Sequence, residues 1–121
     1  MTDLLKLAER VEALEGPDRE VDREIALASG DYKTGRGREG MLAHKDTPNQ
    51  FSYSVPAYTA SLDAAMMLVP EGWSGPLHIG GKYSHAELTT CECGEWIDIE
   101  VVNCATPALA LTAAALRARH D

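Results

Sequence analysis

The sequence of 121 residues contains few aromatic side chains: one Phe, two Trp and four Tyr. A hydrophobic core must therefore rely on Leu, Ile, Val, Met and Ala. Cysteine is also scarce, and the three thiols are an odd number that fits a reducing cytoplasm better than a disulfide framework. No apolar run is long enough to span a bilayer and no signal-peptide pattern occurs, so we expect a cytoplasmic protein with no membrane partner.

Positive charge is scarce as well, with 11 Lys and Arg against 19 Asp and Glu and a formal net charge of −8. This balance argues against binding to duplex nucleic acid, which needs a basic face. The exception is GDYKTGRGREG, residues 30–40, which holds Lys33, Arg36 and Arg38 among four glycines. Such a segment is either a solvated surface loop or an anion cradle, in which glycines free the backbone N–H groups and arginines clamp phosphates.

Recognisable catalytic motifs are missing: there is no Gly-x-Ser-x-Gly elbow, and no histidine has an evident nucleophile partner in the sequence. One polar face of the predicted sheet would gather a His and three carboxylates, the groups that acid–base or metal-dependent hydrolysis needs. These residues are His85, Glu87, Asp98 and Glu100. Charges on the solvent face of a half-buried strand serve solubility by default, so we predict no catalytic residue and no enzyme.

The cysteines raise the possibility of a zinc site made by Cys91, Cys93 and Cys104 with His85. However, one residue separates Cys91 from Cys93, whereas paired ligands of structural zinc sites are normally separated by two to four. Buried cysteines at strand ends commonly act as small hydrophobic residues. We therefore predict neither a metal nor a cofactor.

Apolar spacing predicts an α+β fold in one domain, residues 1–121. Two amphipathic helices are expected before Gly30, one central helix between Thr59 and Pro70, and a fourth helix that begins at Thr106–Pro107. Residues 76–103 read as two or three antiparallel strands with Ile97, Ile99 and Val101 on one face. The result would be a small antiparallel sheet packed against helices in a two-layer sandwich.

Residues 31–55 are rich in Gly, Pro, Asn and Ser and show little periodicity. We expect a long, variable loop, broken by short extended pieces around Met41–Ala43 and Phe51–Val55. Loops of this length in a compact domain are usually functional or disordered. This loop would carry the basic segment described above.

Three segments resemble the small bacteriophage proteins grouped as the phage ABA sandwich domain family. They are LAERVEALEGPDREVDREIALASG (7–30), PAYTASLDAAMMLVPEGW (56–73) and ATPALALTAAALRAR (105–119). The resemblance implies a two-layer α/β protein that is encoded in a phage or prophage and works in the host cytoplasm. The family has no established activity, so the resemblance carries over no catalytic residue.

From these observations we predict a non-enzymatic phage accessory protein that binds a small anionic ligand. By analogy with unrelated small phage proteins, it would be a sponge that sequesters a cyclic nucleotide immune signal and so counters host defence. The predicted ligand-binding residues are Lys33, Arg36, Arg38, Tyr58, Thr59, Ser61 and Trp73. The alternative is a protein-interaction module with an acidic docking surface. In either case we expect a homo-oligomer, joined through the Ala-rich C-terminal helix or the sheet edges.

Overall fold

The computed structural model describes residues 3–35, 38–52, 54–80 and 83–120, with the backbone alone for residues 38–40. Within these ranges the chain forms four helices and two small antiparallel sheets, which confirms the predicted α+β fold. None of the described helices is long and apolar enough to cross a membrane. The elements are α1 (Leu4–Ala13), α2 (Arg19–Ala28), β1 (Tyr32–Gly35), β2 (Arg38–His44), α3 (Leu62–Met66), β3 (Leu77–His78), β4 (Ser84–Glu92), β5 (Glu95–Cys104) and α4 (Pro107–His120).

Carboxylate caps set the starts of both N-terminal helices. Asp3 accepts a hydrogen bond from the N–H of Leu5, and Asp18 accepts from the N–H groups of Glu20 and Val21. These bonds satisfy N–H groups that have no partner within the helix. Asp18 is therefore the N-cap of α2, whose first helical residue is Arg19. Gly30, at φ +84°, ends α2 as the sequence predicts.

Helix α4 forms the centre of the molecule. Ten of its 14 residues are buried, because it packs against α1, α3 and all three strands β3, β4 and β5. Its many alanines allow these close approaches, and Thr106 caps it by accepting from the N–H of Leu109 at 3.2 Å. The chain itself covers most of this helix, which leaves little of it for self-association, and the homo-oligomer stays a prediction.

The larger sheet has the strand order β3-β4-β5. The β4–β5 hairpin turns at Cys93 and Gly94, whose φ angles of 52° and 83° are those of a type I′ turn. Along β5, Val101 is buried and Ile97 and Ile99 are half-buried on the core side, whereas the intervening residues are exposed. This confirms the predicted alternation.

The side of β4 that faces away from β5 is contacted by residues 74–78. A Cβ atom at Gly75 would clash with the backbone carbonyl of Glu87, so only glycine allows this segment to lie so close to β4.

The segment predicted as a long loop contains the second sheet. β1 and β2 pair in antiparallel register from Tyr32–His44 to Thr34–Leu42, with an irregularity between Thr34 and Gly35. Leu42 also exchanges two backbone hydrogen bonds with Ser52, at 2.8 and 2.9 Å. The described part of GDYKTGRGREG thus contains β1 and the first residues of β2, and the prediction of a loop is corrected for these residues. The strands form because ladder hydrogen bonds and buried Leu42 and Ala43 offset the weak strand propensity of glycine.

A buried polar link joins α2 to the segment that precedes α3. The Oδ1 atom of Asp22 accepts hydrogen bonds from the N–H and the hydroxyl of Thr59, each at 2.8 Å, and both residues are fully buried. Arg19 donates to Oδ2 of Asp22 at 3.0 Å and to the carbonyl of Val55 at 2.9 Å. Because a buried carboxylate needs partners for its lone pairs, these donors make the burial of Asp22 possible.

Replacing Thr59 with Val should lower the free energy of unfolding by about 3 kcal/mol, because Asp22 loses one buried donor and the N–H of Asp18 loses its acceptor. Thr59→Ser keeps the hydroxyl and should cost about 1 kcal/mol, the loss of one buried methyl group. Denaturation in urea measures both differences. Equal losses for Thr59→Val and Thr59→Ser would show that the hydroxyl does not support the fold.

Candidate functional site on the outer face of the sheet

Two predicted ligand-binding residues lie in the core. Tyr58 is 2% exposed and Thr59 is fully buried. The carbonyl of Tyr58 accepts from the hydroxyl of Thr112 at 2.8 Å, and burial raises the pKa of the Tyr58 phenol. Since the polar groups of Thr59 are bonded to Asp22 and Asp18, neither residue is available to a ligand in this conformation. The prediction of Tyr58 and Thr59 as ligand-binding residues is therefore corrected, because both are buried and bonded within the core.

The remaining predicted ligand residues are not brought together in the described structure. Ser61, not Thr59, caps α3, and this helix is only five residues long. Trp73 is half-buried and packs on the core, where it lines a mainly apolar cleft of about 530 Å³ with Leu77, Leu88 and Leu111. Lys33 is exposed on β1, while Arg36 and the side chain of Arg38 lie outside the described residues. The nucleotide-binding hypothesis therefore stays a prediction.

The outer face of the larger sheet does gather the polar residues that the sequence places there. Glu87 of β4 lies opposite Glu100 of β5, and Thr89 lies opposite Asp98. The Thr89 hydroxyl donates to Oδ1 of Asp98 at 2.8 Å. Like charges directly opposite one another destabilise a strand pair. The Glu87–Glu100 pair therefore makes this face a favourable place for a cation.

A shallow cleft of about 250 Å³ opens on this acidic face. It is lined by Pro76, Glu87, Thr89, Asp98, Ile99 and Glu100. Residues 83–104 contain five acidic residues and no Lys or Arg; the acids are Glu87, Glu92, Glu95, Asp98 and Glu100. With no Lys or Arg among them, residues 83–104 carry a net negative charge.

Strand β5 adds an open edge to this face. In the part of the chain that the structure describes, eight of its ten residues pair with β4 on one side, and no strand pairs with it on the other side. Trp96 is 72% exposed and Val102 is 47% exposed on the outer side. An unpaired edge offers a row of backbone N–H and C=O groups to another extended chain. The edge and the acidic face together form a candidate interaction surface.

Sequence reasoning missed one grouping on the same face. His78 of β3 is the direct cross-strand partner of His85 of β4, and their rings meet edge to face with centroids 4.9 Å apart. Glu87 follows two residues after His85, so its carboxylate reaches both imidazoles. The glycines between the two strands predict a turn, but a shift of register by one residue would separate His78 from His85. Only the register shows the cluster.

The cysteines lie too far apart to share a metal. Cys104 pairs with Ser84 at one end of the hairpin, and Cys91 lies near the turn at the other end. Ser84 and Cys91 are seven positions apart along β4, about 24 Å in an extended strand. Cys104 is fully buried, and burial together with the charge of Glu12 raises the pKa of its thiol to about 11. Cys104 is thus a small core residue, as the sequence suggests.

Comparisons of the chain with protein-family models, with curated proteins and with solved structures returned no match. The resemblance to the phage ABA sandwich domain family therefore stays a prediction, as does a phage origin.

Iodoacetamide at pH 8 should modify Cys91 and Cys93, which are exposed, and leave Cys104 unmodified in the folded protein. Mass spectrometry after proteolysis measures the modified positions, and unfolding in guanidinium should make all three thiols react.

The folded chain holds the Cys104 proton more tightly than the unfolded chain, whose thiol pKa is near the ordinary 9.0. The stability of the fold should therefore fall as the pH rises from about 9 to about 11. Rapid modification of Cys104 at pH 8 would contradict its burial.

Proposed function

We propose that the protein is a non-enzymatic interaction module that binds an extended, basic segment of a partner protein along the open edge of β5. The observation that supports this proposal is a ten-residue strand with no paired strand on one side among the described residues and with acidic side chains on its outer face. Addition of a strand to such an edge is a common mode of peptide recognition, in which backbone hydrogen bonds supply much of the affinity.

The acidic side chains of β5 determine which kind of partner segment can pair with its edge. β5 carries Glu95, Asp98 and Glu100 and no basic residue. Pairing with a second copy of β5 would therefore bring like charges together, which opposes self-association through this edge. A strand with Lys or Arg at alternate positions would instead face Asp98 and Glu100, and it would offset the repulsion between Glu100 and Glu87.

Trp96 supplies an apolar anchor beside these charges. It lies near the hairpin turn opposite Cys91, and most of its surface is exposed. Tryptophan is frequent among the residues that dominate binding energies at protein interfaces. An accessory protein of phage origin, as the family resemblance implies, would use this surface to meet a basic region of a host or virion protein. That origin is part of the proposal.

A short blocked peptide of alternating Lys and Val should bind the protein at least about tenfold more tightly than a peptide of alternating Glu and Val. Two ion pairs with Asp98 and Glu100, each contributing about 0.7 kcal/mol to the binding free energy, give this factor. Fluorescence anisotropy of the labelled peptides measures the difference. A Lys–Val peptide with N-methyl groups at alternate positions keeps its charges but loses one hydrogen-bonding edge, and it should bind weakly. Equal binding of the methylated and unmethylated peptides would overturn strand addition.

A charge-reversed variant sharpens the test. Asp98→Lys/Glu100→Lys should reverse the preference toward the Glu–Val peptide, whereas Glu9→Lys/Glu20→Lys makes the same change in net charge on exposed helix positions and should not. Sedimentation of the free protein gives a further check. A dimer that the β5 variant alone abolishes would assign the edge to a second copy of the chain and contradict the proposal.

A further inference from the structure

We propose that His78, His85 and Glu87 form a binding site for a divalent transition-metal ion, of which Zn²⁺ is the best match. Two imidazoles and one carboxylate come from adjacent strands: His78 and His85 are cross-strand partners, and Glu87 lies two residues along on the same face of β4. The site lies at the β3 side of the sheet and shares only Glu87 with the acidic face beside β5, and it does not depend on the proposed function.

The distances fit one small ion between the three side chains. The Nε2 atom of His78 is 3.8 Å from Oε2 of Glu87, and Nε2 of His85 is 3.6 Å from Oε1. One ligand atom from each residue lies within 4.8 Å of the other two. Ligands bound to Zn²⁺ at about 2.0–2.1 Å with tetrahedral angles are separated by about 3.3 Å. The two nitrogen–oxygen separations need to shorten by about 0.5 Å or less, and the widest separation by at most about 1.5 Å, which side-chain torsions of the exposed His78 and half-buried Glu87 can supply.

The polar atoms of the cluster also lack better partners. The Nε2 atom of His85 is inaccessible to solvent and has no hydrogen-bond partner among the described residues. A buried polar atom without a partner carries an energetic cost. At 3.6 Å, Glu87 is too distant for a good hydrogen bond to this atom. A metal ion would use the lone pair of His85 Nε2 and neutralise Glu87 at the same time.

The donor set indicates the class of metal. Neutral imidazole nitrogens suit Zn²⁺ and related first-row ions, while Mg²⁺ and Ca²⁺ prefer oxygen ligands. Three protein ligands leave a fourth tetrahedral position for water or another group. The His78 side chain is 61% exposed, so this position opens toward solvent. The sequence alone predicts no metal site because His78 and His85 are brought together only by the strand register.

The test is calorimetric titration of untagged protein with ZnCl₂ in a Cys91→Ser/Cys93→Ser background, which removes two exposed thiols that would compete for zinc. We expect one Zn²⁺ per chain and no heat of binding with MgCl₂. His78→Ala and Glu87→Gln should each weaken binding at least about tenfold, since even the loss of outer partners of metal ligands costs about 10–100-fold. Both changes are at partly or largely exposed positions, and circular dichroism checks that the variants are folded.

His44→Ala is the matched control. His44 lies 3.6 Å from the carboxylate of Asp46, a similar His–carboxylate pair without a second imidazole or carboxylate grouped around it among the described residues. Its loss should leave Zn²⁺ affinity unchanged. Imidazole ¹⁵N spectra should also show zinc-dependent shifts at Nε2 of His78 and His85 but not at His44. Absence of one-to-one binding, equal affinity of His78→Ala and the parent protein, or shifts confined to His44 would each overturn the site.

Discussion

The hydrogen bonds between Asp22 and Thr59 are the constraint on which the fold most depends. They join residues 37 positions apart in a region with no access to water. Removing a carboxylate from water is costly, so the conformation persists only while Thr59 and Arg19 donate to it. Thr59 in turn fixes Tyr58, whose carbonyl binds Thr112 of α4. One buried charge thereby sets the position of α2 relative to the central helix.

The two faces of the larger sheet differ in chemistry: one is apolar and packs on the core, and the other is polar. The inner face contributes Ala86, Leu88 and Val101 to the core and packs on α4. The outer face carries carboxylates and imidazoles that the core cannot accommodate without partners. Because successive side chains of a strand point to opposite faces, burying one set places the other at the surface. The candidate interaction surface and the histidine cluster both follow from this alternation.

Much of the fold could be predicted from local patterns. Thr106 and Gly30 mark helix ends through capping chemistry, and Ile97 and Ile99 reveal their strand through alternation. The β1–β2 hairpin could not, because glycines and charges hide any period of two. Asp22 resembles an ordinary exposed acid on a helix, and its burial depends on a residue distant in sequence. The candidate site was predictable as a polar face, but the partnership of His78 with His85 depends on register, which sequence patterns specify weakly.

The central place of α4 bears on how the chain is made. Every other described element precedes this helix in the sequence, yet α1, α3 and the larger sheet all bury apolar surface against it. During synthesis, those elements leave the ribosome before the helix that covers them. Their contacts are also long-range, which slows folding. Nascent chains halted before residue 107 would therefore display an uncovered apolar surface, the kind of surface that molecular chaperones recognise.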